Sequence, residues 1–141
     1  MPRATIYYFT EDIEFKLPDP QSTTDWIRKV IRQEGYQLIS LNFIFCSDNY
    51  LYAKNLEYLH HDTLTDVITF SYAEKPQTIE GEIYMSIERV RDNASRYTSS
   101  FWDELYTVMI HGVLHLLGYK DDTLAEKETM REKERACLLV R

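Results

Sequence analysis

The sequence predicts an α+β domain. Short β-branched or aromatic runs with alternating polarity point to strands, and longer segments with apolar residues at helical spacing point to helices. Four Gly and four Pro among 141 residues exclude fibrous or linker-rich architectures. No repeat or low-complexity tract divides the chain, so the expected unit is one domain over residues 1–141.

Ile6–Thr10 and Glu14–Leu17 are expected as short strands around an acidic turn, stopped by Pro18-Asp19-Pro20. Thr23 or Thr24 is positioned to cap a helix carrying Trp26, Ile27, Val30 and Ile31, and Gly35 ends it. Gln37–Cys46 is the best strand, with Leu41, Phe43 and Phe45 alternating and burial expected mostly on one face. Ser47-Asp48-Asn49 caps a helix through Leu59, and His60–Thr65 is expected as loop. Val67–Tyr72 and Glu80–Ser86 complete the strands, separated by the break at Pro76. Glu88–Arg96 is helical. Ser99 or Ser100 opens a helix from Phe101 to Leu117, with Asp103 and Glu104 in its first turn and Gly118 closing it. Thr123 starts a charged C-terminal helix whose mixture of Glu, Lys and Arg predicts exposed ion pairs.

A formal net charge of -7 excludes a globally basic nucleic-acid binder but not a local basic patch. Arg28, Lys29 and Arg32, and separately Arg89 and Arg96, are candidate phosphate contacts. Cys46 and Cys137 form no C-x-x-C pair, which favours buried or free thiols in a reducing cytoplasm. No apolar run approaches a membrane span or a signal h-region.

The stretch His111-Gly112-Val113-Leu114-His115-Leu116-Leu117-Gly118-Tyr119-Lys120-Asp121 carries the chemistry. Histidines four apart share a helix face, so their imidazoles can converge on one ion. Gly118 lets the chain turn back, bringing Asp121 to the same point as a third ligand. Asp122 competes for that role from one residue further on. Three protein ligands with an open fourth position suit a hydrolytic divalent ion. The bland alternative packs both histidines in the core with local hydrogen bonds.

The spacing matches the extended zinc-protease pattern in both histidines and the glycine, but Gly112 replaces the protease's general-base Glu and Asp121 replaces its third His. Peptide hydrolysis by that route is therefore disfavoured, and Gly112 is expected to leave room beside the metal for a bulkier group such as a phosphodiester. A non-haem iron oxygenase shares the two-His, one-carboxylate set, but on a different scaffold.

These residues resemble the signature H-G-x-L-H-L-x-G-Y-D-H of the YbeY family. Leu51 through Asn55 with Tyr58, then Thr65-Asp66-Val67-Ile68-Thr69-Phe70, resemble its L-N-x-x-Y-R … P-T-D-V-L-S-F block, and Gly81-Glu82-Ile83 its G-D-I strand. The resemblance implies a zincin-like fold, with a mixed sheet and the metal site on a long helix and its C-terminal turn. It implies a zinc-dependent, single-strand-specific endoribonuclease acting in 16S rRNA 3′-end maturation and late ribosome quality control. Carried over, the metal ligands are His111, His115 and Asp121. The carboxylate in the third place keeps manganese or iron open beside zinc. The partners implied are rRNA and the ribosome, with ribosome-associated proteins, and neither DNA nor membrane. Leu59 stands where the family has Arg, and Leu64 where it has Pro; His60 and His61 are candidate substitutes for the Arg. Thr65 and Asp66 are expected to be structural. The alternatives are a non-catalytic ribosome-associated factor with a structural metal, or a metalloprotease-like hydrolase.

Overall fold

The computed structural model describes residues 5–59 and 65–141. Four strands, β1 (Thr5–Glu11), β2 (Gln37–Cys46), β3 (Val67–Ser71) and β4 (Thr78–Ser86), form one sheet in the order β1-β2-β4-β3. β1, β2 and β4 run parallel, and β3 pairs antiparallel with β4. Five helices among the described residues complete the fold: α1 (Pro20–Gln33), α2 (Asp48–Leu59), α3 (Ile87–Arg96), α4 (Phe101–Leu116) and α5 (Leu124–Leu139). This is the α+β architecture with a mixed sheet that the sequence predicts. No described helix is long and apolar enough to cross a membrane.

The main core lies between one sheet face and the helices. Leu41, Phe43 and Phe45 of β2 and Ile79, Ile83 and Met85 of β4 meet Trp26, Ile27, Val30 and Ile31 of α1 and most of α4. Residues 108–110 and 112–114 of α4 are all buried, because the helix lies against the sheet with α3 and α5 beside it. A second, smaller cluster corrects the one-face expectation for β2. Ile44 and Cys46 face the opposite side and are buried with Leu51, Ile68 and Tyr84. The helix α2 covers that side, so the C-terminal half of β2 is apolar on both faces.

Glu14–Leu17 is not a strand. Asp12 takes a left-handed φ of 59° and turns the chain out of β1, and among the described residues no strand lies alongside the segment for it to pair with. Its alternation is real but serves packing: Leu17 is buried, and the Phe15 ring sits 4.9 Å from that of Phe45. Nor is α1 capped by Thr23 or Thr24. Asp19, itself at φ 44°, accepts from the Ser22 N–H, and Pro20 occupies the first helical turn, where its missing N–H costs nothing. Thr23 is buried, and Thr24 Oγ1 lies 3.0 Å from the Tyr8 hydroxyl.

Other ends form as expected. Ser47 Oγ accepts from Tyr50 N–H, Ser100 caps α4, and Thr123 with Glu126 makes a reciprocal capping box on α5. The predicted loop at His60–Thr65 lies, apart from Thr65, outside the described residues, as do His60, His61 and Leu64.

Candidate metal centre

Helix α4 carries His111 and His115 on the one stripe that the core does not cover; both are half-buried. After Leu116 the helix stops in a hydrogen-bonded turn. Gly118 adopts φ 99°, its N–H bonds to the His115 carbonyl, and Tyr119 N–H reaches back to Leu114. The chain reverses and brings Asp121 to the histidines. His111 Nε2 and His115 Nε2 are 3.0 Å apart, and Asp121 Oδ2 lies 3.3 and 3.5 Å from them.

That triangle fits an ion. A tetrahedral centre with bonds of about 2.0–2.1 Å spaces its ligand atoms about 3.3–3.4 Å apart, which the three separations bracket. Among the described residues, His111, His115 and Asp121 are the group of three or more candidate ligands that converges this closely. Asp122 is not in it.

The turn bearing Asp121 is tethered on both sides. The Tyr119 hydroxyl donates to Glu34 at the end of α1, and Lys133 of α5 donates to the other Glu34 oxygen at 3.1 Å. The outer nitrogen of His111 is also engaged. Its Nδ1–H donates to Glu134 Oε2 of α5 at 2.5 Å, which leaves Nε2 facing Asp121. Burial disfavours a charged His111 ring. The hydrogen bond and charge of Glu134, with Asp121 and Asp66, outweigh it and hold the pKa above its ordinary value.

The C-terminal helix is therefore not merely a solvated charged face, as its composition predicts. Glu134 is hidden within a run of charges, yet it follows the buried Met130 by one turn and precedes the core-facing Leu138 by another. That four-residue stripe is the signal that could have found it.

Gly112 also needs correction. It does not open space at the metal, because it faces the sheet. A Cβ there would lie 2.9 Å from Ile83 Cγ2 and 3.2 Å from Ile83 Cδ1, within the buried core. Gly81 is as constrained from the other side, its Cβ position falling on the Phe70 carbonyl oxygen and 3.5 Å from Leu116 Cδ2. Gly112 thus marks a close helix–sheet contact, whereas the close approach at Gly81 is to the backbone of the neighbouring strand β3.

Beside His111 and Asp121 opens a cavity of about 380 Å³, also lined by Asp66, Glu104, Thr107, Met130, Glu134, Lys127 and Arg131. Burial pushes the carboxyls of Asp66 and Glu104 upward from their ordinary range. Asp66 keeps structural ties, as expected: Asn93 Nδ2 donates to its carboxylate at 3.0 Å, and its carbonyl accepts from Ser86 N–H. Thr65 Oγ1 donates to the Val67 carbonyl. Of the basic candidates, Arg89 is committed to Asp48 at 2.9 Å and Arg96 to Asp92 at 3.3 Å, so this pair is not a free phosphate cradle. Cys46 and Cys137 are both free thiols.

Two histidines on a buried helix, a carboxylate returned by the helix-ending turn, and an adjoining polar cavity define the class of metal-dependent hydrolases. The family model described as Endoribonuclease YbeY matches residues 8–140, and the chain belongs to that family. Its enzymes are nucleases, hydrolases of phosphodiester bonds. Over 139 residues the chain is 70% identical to the Endoribonuclease YbeY of Amoebophilus asiaticus, covering 99% of this chain and 95% of that protein. Identity to the Cytophaga hutchinsonii protein of the same name is 46% over 141 residues, covering 100% and 99%. A solved solution structure from Thermotoga maritima superposes with a TM-score of 0.67 at 26% identity, covering 96% of this chain and 88% of that one.

Proposed function

We propose that the chain is a metal-dependent endoribonuclease, one domain over residues 1–141, that cuts single-stranded RNA in 16S rRNA 3′-end maturation and late ribosome quality control. The observation that carries this reading is the ligand triangle of His111, His115 and Asp121 at the mouth of a cavity. These three residues would hold the ion, with zinc the first candidate and manganese or iron admitted by the carboxylate. A divalent ion bound there supplies Lewis acidity to the phosphodiester and to water.

The protein's own groups do the rest. Glu134 fixes the tautomer of His111 by taking its Nδ1 proton in a hydrogen bond, so that Nε2 keeps its lone pair for the ion. Gly112, turned to Ile83, leaves no side chain in the position of a protease's base, which weighs against peptide hydrolysis. Asp66 and Glu104, with carboxyls pushed upward by burial, are the groups in the cavity suited to hold a proton. The ribosome supplies much of the positioning, because a chain of net charge -7 binds naked RNA weakly. Two free cysteines accord with work in a reducing cytoplasm.

The test is His115→Ala. Metal content by elemental analysis and cleavage of a single-stranded RNA should both be lost while the fold persists by circular dichroism. Cleavage by the pure, metal-free variant refutes the site. A variant that unfolds on metal loss, with ribosome binding that needs no cleavage, would instead favour a structural metal in a non-catalytic ribosome-associated factor. Product ends from the wild type tell the routes apart: a 2′,3′-cyclic phosphate means attack by the ribose hydroxyl.

A further inference from the structure

The cavity beside the ligand triangle is electrically divided. Asp66, just before β3, and Glu104 of α4 line one side, while α5 contributes Lys127 and Arg131 together with Glu134, which is bonded to His111. The two cations are one helical turn apart, so their side chains leave the same helix face with Cβ atoms about 5–6 Å from each other. Both are exposed, and among the described residues neither has a carboxylate within ion-pair distance. Arg89, Arg96 and Lys133 are ion-paired elsewhere, and what sets Lys127 and Arg131 apart is their place on the cavity wall. A volume of about 380 Å³ is at the small end of ligand sites and suits a unit of nucleotide size.

We infer that this cavity is a subsite for one nucleotide of the RNA flanking the cut, with Lys127 and Arg131 holding its backbone phosphate. The inference rests on the endoribonuclease reading for the nature of the ligand, but its geometry does not need the metal. The acids on the opposite wall leave that side to the uncharged base, whose ring donors and acceptors can hydrogen-bond to carboxyl groups. His111 and Asp121 belong to the cavity wall as well, so a strand whose phosphate sits on α5 passes directly over the candidate centre. The register of the strand then follows from one anchored phosphate, without a broad basic surface.

The experiment uses a fluorescein-labelled single-stranded oligoribonucleotide and the metal-loaded protein, with anisotropy for binding and gel analysis for cleavage, both across a salt series. Wild type is compared with Lys127→Gln/Arg131→Gln and with a control of equal charge loss elsewhere, Lys75→Gln/Arg135→Gln. The proposal expects weaker binding and higher KM for the first double variant, with kcat largely kept. The salt dependence should become shallower by about 0.7 log units per log salt for each phosphate that the variant no longer neutralises. Metal affinity and the control should be unchanged. An unchanged slope and KM in Lys127→Gln/Arg131→Gln overturns the subsite, as does a slope that follows Lys29→Gln/Arg32→Gln on α1, or no measurable RNA binding by wild type. If wild type binds through Lys127 and Arg131 but leaves the RNA uncut, the endoribonuclease reading falls while the subsite stands.

Discussion

Replacing Gly112 by Ala tests whether the helix–sheet contact is as tight as it measures. The added methyl carbon would sit 2.9 Å from Ile83 Cγ2, where unstrained carbon pairs keep about 3.5–4.0 Å. Ile83 is fully buried and belongs to a strand paired on both sides, so it cannot swing away. Over-packing of this kind costs about 1–3 kcal/mol. Against it stands a helix-propensity gain of up to about 1 kcal/mol for Gly to Ala. The net expectation is destabilisation by about 1 kcal/mol, a fall in Tm of roughly 3 °C for a chain of this size. Ile83→Ala alone should cost about 2–5 kcal/mol by leaving a cavity. In that background the methyl at position 112 enters vacated space, and the second substitution should become neutral or stabilising. Urea unfolding followed by circular dichroism, with chelator present to remove metal linkage, gives the four free energies of the cycle. An equal cost for Gly112→Ala in both backgrounds, or a wild-type background stabilised by it, would refute the packing argument.

Two further predictions concern the site. Glu134→Gln keeps the shape but weakens the acceptor on His111, so zinc affinity measured by competition with a chromophoric chelator should fall about 10–100-fold; unchanged affinity would remove Glu134 from its orienting role. Asp66 has a folded pKa raised by burial above its unfolded value, so between the two values the native state holds more protons than the unfolded state. Its contribution to stability is therefore complete below the unfolded pKa and is lost as pH rises through the raised one. Asp66→Asn, which retains an acceptor for Asn93, should gain stability relative to wild type as pH rises through that window, read by melts of the metal-free proteins. A stability difference flat in pH would contradict the assignment.

What the sequence disclosed and what it withheld follow from the range of the interactions involved. The caps at Ser100 and Thr123 and the turn at Gly118 are local, and the chain declares them. The ligand triangle is legible for the same reason: helix periodicity and one left-handed glycine bring His111, His115 and Asp121 together within eleven residues. Glu134 is not, because its partner is 23 positions away and its neighbours are also charged. The segment Glu14–Leu17 has a strand's alternation without a strand's partner, and pairing is a property of the whole sheet. Gly112 stands out in the sequence, but the reason for it does not. Its counterpart is Ile83, in a motif whose connection to the histidine helix exists only after β4 and α4 meet. The second buried face of β2 likewise depends on where α2 comes to rest.

The tether of the Asp121 turn to Glu34 and Lys133 has a consequence for how a metal is acquired. In small metal-dependent domains the ion gathers its ligands and its binding energy is spent on folding the chain. Here two donors are fixed to a core helix, and the third rides on a turn already moored to the first and last helices. The contacts that moor the turn are made by side chains outside the candidate ligand set. The expected outcome is that a chelator strips a bound ion while circular dichroism shows the fold retained, so that occupancy would follow ion supply. Held by that mooring, the spacing of the three atoms, as well as their chemistry, would bear on which ion they take.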